Sequence, residues 1–352
     1  MLIAELLLRI ASPPSLRVVA TDAREFVRFH PRLGWTNRPG AHTRFRFGSE
    51  FDNDVRISSA GLQDREFSRD RAEGTFRVLA LGDSFTFGQG VEAAEAWPKV
   101  LEGLLAGPSE VLNSGVSGWG TAQELLWLEE EGLSYRPDAV VVAFYSNDFW
   151  DNEAAPPEDA RRPRFALRDG RPVALNLPLA SPPADALRRV GAVLGNRSFL
   201  FRALDAQWRS VEMGWLRPVD LAPLRSPRPS GVAPAQRSPV VVPAVGLTGA
   251  LLSRMAADCR ERAIRFVVVL VPGNWQVRPA LRGLGAYAAQ KEAYDVVRGL
   301  CTADGLEIVD PLGPLSTSEE SGNLVYHRID MHWNAAGHRL VAGLVADRLR
   351  AR

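Results

Sequence analysis

The sequence VLALGDSFTFGQG occupies residues 78–90, and its pattern decides how the rest of the chain is interpreted. Its apolar start is long enough for one buried strand, which stops at Gly82 and delivers Ser84 in a turn. Ligands of open α/β sheets bind outside the carboxyl ends of the strands, so this serine has the position that a nucleophile needs. Taken alone, however, the stretch favours a plainer interpretation, a strand-to-helix turn in which the serine caps the helix.

The stretches that follow alternate between strand and helix patterns. Short apolar runs predict further strands, and apolar residues at helical spacing predict the helices between them. This alternation is typical of an α/β domain in which helices cover both faces of a parallel sheet. The predicted strands are 77–81, 110–112, 139–145, 265–271 and 306–309, and the predicted helices are 94–106, 122–132, 247–263, 288–303 and 335–350, the last capped by Asn334.

The domain organisation follows from where this alternation is interrupted. Residues 1–75 are predicted to be an N-terminal extension, polar after an apolar start, with short hairpin strands such as 43–47. The main domain is predicted to cover residues 76–352. A proline-rich insertion at about 151–243 interrupts it, with one helical piece at 184–215 and irregular structure elsewhere. We predict a loop from Pro311 to Ile329 ahead of the last helix.

Composition excludes several classes of function. The formal net charge is +1, so there is no electrostatic case for a nucleic-acid partner. Cys259 and Cys301 alone cannot build a disulfide scaffold or a zinc site; one bridge between them and two free thiols are both open. The histidines show no metal-ligand spacing either, so we expect no metal and no cofactor.

Polar residues gather at what should be one edge of the predicted sheet. Ser84 follows the first strand, Gly118 the second and Asn147 the third, while Asp330 and His332 precede the last helix. Acyl transfer needs these residue types: a hydroxyl, a base to take its proton, an acid to orient the base, and donors for an oxyanion.

Four motifs in this order resemble those of the SGNH (GDSL-like) hydrolase superfamily. The resemblance implies a flavodoxin-like three-layer α/β/α sandwich with a five-stranded parallel sheet. It also implies a Ser84, His332 and Asp330 triad, with an oxyanion hole formed by the Ser84 and Gly118 N–H groups and the Asn147 amide. The motifs are Gly82-Asp83-Ser84-Phe85, residues 113–118, Ser146-Asn147-Asp148 and Asp330-Met331-His332-Trp333-Asn334.

Two departures from the usual motifs stand out. Asp330 lies two residues before His332 instead of three, and Ser146 stands where a glycine is common. The short Asp-x-His-Trp form resembles a branch that includes alginate O-acetylation proteins and bacterial envelope hydrolases. His327 is the alternative base and Asp310 the alternative acid, whereas His338 and Asp83 are expected to be structural.

The resemblance implies a serine esterase whose substrate is a small-molecule or glycan ester, with short acyl groups on carbohydrate favoured. The alternatives are an O-acyltransferase that uses the same triad on a glycan, and a catalytically weak carbohydrate-binding module. Relatives often carry a spanning helix ahead of a stretch like residues 5–9, which implies a cell-envelope location and membrane association through the N-terminus. Taken as it begins, the chain predicts a cytoplasmic protein, because its apolar start is shorter than the roughly 20 residues of a spanning helix.

Overall fold

The structure is a computed structural model that describes residues 5–6, 25–47, 50–152, 162–181, 242, 244–281 and 288–351. The chain divides into two units. The first comprises Ala23–Arg46, Glu50–Ser181 and Val241–Arg352, and it contains nearly all of the described residues. The second comprises Met1–Asp22, Phe47–Ser49 and Pro182–Val240. The predicted helix at 184–215 lies outside the described residues.

Four short strands precede the main sheet, in the predicted extension. They are β1 (Val27–His30), β2 (Gly34–Asn37), β3 (His42–Phe47) and β4 (Phe51–Arg56). β1 pairs with β2 in antiparallel fashion, and β3 pairs with β4. The buried ring of Phe26 stacks on Phe87 at a centroid distance of 5.4 Å, which joins this layer to the main domain. The domain boundary at residue 76 stays a prediction.

The central sheet has five parallel strands, as predicted. β7 (Ala139–Tyr145) lies in the middle of the sheet, so every one of its side chains is buried, and this fits its unbroken apolar sequence. From one edge to the other the strands run β11 (Glu307–Val309), β10 (Arg265–Val271), β7, β5 (Phe76–Gly82) and β6 (Ser109–Asn113), which is the flavodoxin-like order. The remaining strands of the described chain are β8 (Phe165–Arg168) and β9 (Arg171–Ala174).

Helices cover both faces of this sheet and complete the predicted three-layer sandwich. Alternate residues of β5 point to opposite sides of the sheet. Leu79 packs into the core beneath α3 (Thr121–Glu130), α5 (Val245–Arg260) and α7 (Ala288–Ala303). Val78 packs into the core beneath α2 (Trp97–Leu104) and α9 (Ala335–Arg350). The helices of the described residues are α1 (Ser84–Phe87), α2 (Trp97–Leu104), α3 (Thr121–Glu130), α4 (Asp148–Asn152), α5 (Val245–Arg260), α6 (Asn274–Val277), α7 (Ala288–Ala303), α8 (Leu312–Glu320) and α9 (Ala335–Arg350).

Two stretches differ from the sequence predictions. The predicted loop from Pro311 to Ile329 contains α8, whose Pro314 lies in the first turn, where no intrahelical N–H bond is lost. The insertion contains the hairpin of β8 and β9, turned by Asp169 and Gly170 with φ angles of 50° and 72°. An Asp-Gly pair with positive φ at both residues is a strong hairpin signal that the proline-rich context obscured.

One open question from the sequence, the state of the two cysteines, is answered by the described residues. Cys259 and Cys301 are both buried and free, so the alternative of two free thiols is the observed one. Among the residues that the structure describes, none of the helices combines the length and the apolar character needed to cross a membrane.

Candidate active site

The turn after β5 places Ser84 at the carboxyl edge of the sheet. Gly82 has a φ of +149°, and a Cβ atom there would lie 2.2 Å from Thr86 Oγ1, so only glycine fits. Asp83 caps α1, with its Oδ1 accepting the Phe85 N–H at 2.9 Å. The helix cap is therefore Asp83 and not the serine, which leaves the Ser84 hydroxyl available for another partner.

Ser84, His332 and Asp330 form one chain of hydrogen bonds. Ser84 Oγ lies 2.7 Å from His332 Nε2, and His332 Nδ1 lies 2.5 Å from Asp330 Oδ1. The same Asp330 oxygen accepts the His332 backbone N–H at 2.9 Å. A carboxylate at Nδ1 keeps the proton on that nitrogen, so the Nε2 lone pair faces the serine hydroxyl. The three residues thus have the arrangement of a serine nucleophile, a base and an orienting acid.

The environment of Asp330 favours its charged form. The Asp330 and His332 side chains are each 10% exposed. Burial raises the pKa of Asp330, but the hydrogen bonds and charge of His332 outweigh burial and hold that pKa below its ordinary value. Phe85 covers one side of the imidazole, with ring centroids 4.8 Å apart. The acid is therefore ionised and held against the base in a partly dry pocket.

The short Asp-x-His spacing is possible because the loop before α9 is folded back on itself. Tyr326 and Trp333 form an antiparallel bridge, and the His327 N–H donates to the His332 carbonyl at 3.0 Å. Asn334 caps α9 by accepting the N–H groups of its first turn, as predicted, and donates to the Leu324 carbonyl at 2.9 Å. The bridge and the cap fix both ends of the segment that carries Asp330 and His332.

Two further residues, which sequence reasoning did not identify, hold this loop. Arg278 donates to the carbonyls of Tyr326, His327 and Arg328 at 3.2, 2.7 and 3.2 Å. Glu50, whose side chain is 8% exposed, accepts the Ile329 N–H at 2.8 Å and also the Arg328 N–H. Both bind backbone groups of the loop, so neither pairing has a signal in the sequence.

Gln89 is a third residue at the site that sequence reasoning missed. Its Nε2 lies 3.3 Å from His332 Nδ1. The proton on Nδ1 is donated to Asp330, so this nitrogen cannot accept an N–H of Gln89, and the amide packs beside the ring. The residue lies at the end of the motif that carries Ser84, five positions further on. This closeness to Ser84 in the sequence was the signal that could have identified Gln89.

The predicted oxyanion residues lie at the same edge of the sheet. Gly118, with a φ of +79°, follows β6, and Asn147 follows β7 directly before α4. Ser84 is the first residue of α1, where backbone N–H groups lack intrahelical partners. Asn147 Nδ2 donates one hydrogen to Asp151 Oδ2 at 2.8 Å, which leaves the second hydrogen of the amide for another acceptor. Their role as oxyanion donors stays a prediction.

Three carboxyl groups lie buried behind the serine: Asp83, Asp148 and Glu124 of α3. Burial raises the pKa of Asp83 to about 6. Burial also raises the pKa values of Glu124 and Asp148, and the negative charges of this group add to the shift. Asp148 accepts the Thr121 hydroxyl at 2.7 Å. Such a group is most stable when its members hold protons, and Asp83 has the structural role in the turn that we expected.

The alternative residues have other partners. His327 lies beside Phe51 at a centroid distance of 5.2 Å, and burial lowers its pKa. His338 Nδ1 accepts the backbone N–H of Trp97 at 3.1 Å. Burial lowers the pKa of His338 to about 3, which suits a neutral residue of the core. Asp310 accepts the Tyr294 hydroxyl at 2.5 Å and pairs with Arg298 at 2.7 Å. It is His332, and neither of the other two histidines, whose Nε2 accepts the Ser84 hydroxyl.

No group of three or more His, Cys, Asp or Glu side chains suited to hold a metal ion occurs in the described part of the chain. Metal independence of the reaction stays a prediction, which a chelation experiment can test.

A comparison with protein families and one with solved structures each found similar proteins. The model of the GDSL-like lipase/acylhydrolase family matches residues 80–340. A lipolytic protein of the G-D-S-L family from Veillonella parvula is 12% identical, with a TM-score of 0.43, and covers 79% of this chain and 100% of its own. The acetyl xylan esterase AlAXEase is 12% identical, with a TM-score of 0.44, and covers 78% of this chain and 100% of its own. The lipase/acylhydrolase from Enterococcus faecalis is 14% identical, with a TM-score of 0.40, and covers 79% of this chain and 96% of its own. The likeness to these structures is one of fold. No curated protein matches the chain.

Proposed function

Because the chain belongs to the GDSL-like lipase/acylhydrolase family, we propose that it is a serine esterase that hydrolyses carboxylic esters through Ser84. The observation that carries the proposal is the hydrogen-bond chain from Ser84 Oγ through His332 to Asp330, with contacts of 2.7 and 2.5 Å. A hydroxyl is a weak nucleophile by itself, and an adjacent base in the correct tautomer is what activates it.

The proposed mechanism has two steps. Ser84 Oγ attacks the ester carbonyl while His332 Nε2 takes its proton, and His332 then protonates the leaving alkoxide. Asp330 keeps the imidazole in the right tautomer and stabilises the imidazolium. The Ser84 and Gly118 N–H groups and the Asn147 amide receive the oxyanion. Water, activated by the same histidine, attacks the acyl-enzyme and restores the free serine.

The decisive test is covalent labelling with a fluorophosphonate, which reacts only with an activated serine. We expect labelling of the wild type at Ser84, no labelling of Ser84→Ala, and a loss of activity of about three orders of magnitude or more in that variant. Ser58→Ala is the control, because Ser58 is a buried serine whose hydroxyl accepts the Leu62 N–H and has no histidine partner among the described contacts. Labelling at another residue, or none in an active preparation, would contradict the proposal.

The finer proposal concerns the substrate: short acyl groups carried by a carbohydrate. It rests on the resemblance of the Asp330-Met331-His332-Trp333 form to a polysaccharide-modifying branch. A p-nitrophenyl ester series from acetate to octanoate should show a kcat/KM that falls with chain length. The series should be repeated with an added glycan acceptor, because acyl transfer to the glycan in place of hydrolysis would favour the acyltransferase alternative. Activity that rises with chain length would overturn the preference for short acyl groups.

A further inference from the structure

Arg162, from the predicted insertion, contacts both loops that carry the proposed oxyanion donors. Its Nη1 donates to the Gly118 carbonyl at 3.0 Å. Its Nη2 lies 3.1 Å from Asp151 Oδ1, and the other oxygen of that carboxylate accepts the Asn147 amide at 2.8 Å. One guanidinium therefore links the loop after β6 to the loop after β7.

The guanidinium is itself held in place. Arg162 Nη1 also donates to Gln123 Oε1 at 3.2 Å, and the Arg162 guanidinium carbon lies 4.7 Å from the centre of the Trp35 ring. Trp35 in turn donates its indole N–H to the Ser117 carbonyl at 3.0 Å, directly before Gly118. The side chain is 19% exposed, so solvent weakens these contacts only in part. A planar fork with several fixed partners is the geometry that arginine provides and lysine does not.

The negative charge of Asp151 would repel an oxyanion at the site, and the positive charge of Arg162 can offset this repulsion. The carboxylate orients the Asn147 amide, but its negative charge lies one hydrogen bond away from the group that must receive an oxyanion. That charge reaches the neighbourhood of the nucleophile: burial raises the pKa of Asp83, and repulsion by Asp151 adds to the shift. A cation paired with Asp151 cancels the repulsion while leaving its hydrogen bond to Asn147 intact.

We propose that Arg162 is a positioning residue for the oxyanion hole, which it serves by neutralising Asp151 and by tying the Gly118 loop to the Asn147 loop. The inference rests on the proposed function. Charge develops on the substrate oxygen only in the transition state, so Arg162 should affect kcat far more than KM. This role of Arg162 also gives the insertion a part in the reaction itself, in addition to shaping the approach to the site.

The test compares four variants on p-nitrophenyl acetate. Arg162→Gln should lower kcat by about 10- to 100-fold with KM within about twofold. Arg162→Lys keeps the charge without the fork and should fall less. Asp151→Asn alone should lose less kcat than Arg162→Gln, because its amide oxygen can still accept from Asn147 and the carboxylate charge is gone. The double variant, Asp151→Asn with Arg162→Gln, should be more active than Arg162→Gln alone, because the negative charge of Asp151 is gone as well.

The matched control is Arg265→Gln. Arg265 pairs with Glu307 at 2.6 Å and donates to two carbonyls, so it resembles Arg162 in its contacts. It begins β10 and therefore lies at the amino ends of the parallel strands, away from the carboxyl ends that carry the site. This variant should keep its kcat. Thermal unfolding of every variant separates lost activity from lost folding, and Arg162→Lys with the double variant tests the inference if Arg162→Gln fails to fold.

The outcomes separate this inference from the proposed function. An active wild type, labelled at Ser84, whose Arg162→Gln variant keeps kcat would overturn the role of Arg162 and leave the esterase intact. A double variant no more active than folded Arg162→Gln would show that neutralisation of Asp151 is not the mechanism. A wild type that neither hydrolyses esters nor reacts at Ser84 would overturn the proposed function, and this inference with it.

Discussion

Asp330→Asn tests whether the short Asp-x-His spacing builds a working acid and base. In the structure one oxygen of Asp330 accepts two His332 donors, the ring N–H at 2.5 Å and the backbone N–H at 2.9 Å. If the asparagine turned its NH2 group toward the ring, this group would also face the His332 backbone N–H, and two donors would then oppose each other. The amide oxygen should therefore stay in place, and with it the tautomer in which His332 Nε2 faces Ser84.

The expected loss is then electrostatic. Replacing a charge-assisted hydrogen bond by a neutral one costs about 1.5 kcal/mol, which is about tenfold in rate. Losing the full attraction between a carboxylate and an imidazolium about 4 Å apart costs about 4 kcal/mol at an effective dielectric constant of about 20, or about 10³-fold. We therefore predict that kcat/KM falls by about 10- to 10³-fold, less than the roughly 10⁴-fold loss that accompanies a wrong tautomer.

The assay is kcat/KM on p-nitrophenyl acetate for the wild type, Asp330→Asn, Ser84→Ala and His332→Ala, with Asp310→Asn as the matched control. Asp310 ends β11 and binds Tyr294 and Arg298, so its variant should retain activity if it folds. Asp330→Asn should remain more active than Ser84→Ala and His332→Ala.

Full activity of Asp330→Asn would refute the assignment of the acid, and a dead Asp310→Asn variant that is still folded would point to Asp310 instead. A loss in Asp330→Asn as large as that in His332→Ala would refute the reasoning about the tautomer. Full activity of His332→Ala, together with a dead His327→Ala, would mean that the base is His327.

Three further predictions concern the surroundings of the site. Glu50→Gln should lower kcat/KM about tenfold while the protein stays folded. The two loop N–H groups bind different oxygens of Glu50, and an amide has only one oxygen to accept them. Steady-state kinetics with thermal unfolding would show this, and unchanged kinetics would exclude a role for Glu50 in holding the loop. Asp83 holds its proton up to a pH of about 6 in the folded state against 3.8 when unfolded, so the wild type loses stability as pH rises through this window. Asp83→Asn keeps the oxygen that caps α1 and should gain about 2 kcal/mol in free energy of unfolding relative to wild type between pH 4 and pH 7, as measured by urea unfolding; an equal difference at both pH values would show that Asp83 does not titrate there. Activity should survive exhaustive dialysis against EDTA, and a loss restored by one divalent ion would overturn the metal-free mechanism.

Much of the fold was predictable because its signals are local. The run of apolar residues at 139–145 predicted the buried central strand, and β7 has those bounds. Asn334 before an amphipathic stretch predicted the start of α9. The failures were also local in origin: Pro311 and Pro314 favoured a loop where α8 forms, and the prolines of the insertion obscured the Asp169-Gly170 hairpin.

By itself the sequence predicted the parallel sheet from its strand patterns. The resemblance of four short motifs then implied the candidate triad and the residues proposed for the oxyanion. Only the tertiary structure decided how these groups are held. Glu50 binds N–H groups of the triad loop, Arg278 binds carbonyls of the same loop, and Arg162 binds the carbonyl of Gly118. The physical reason is that every residue except proline carries the same backbone donor and acceptor. A side chain that binds backbone groups therefore imposes no residue type on its partner, and such contacts become visible only when the chain is folded.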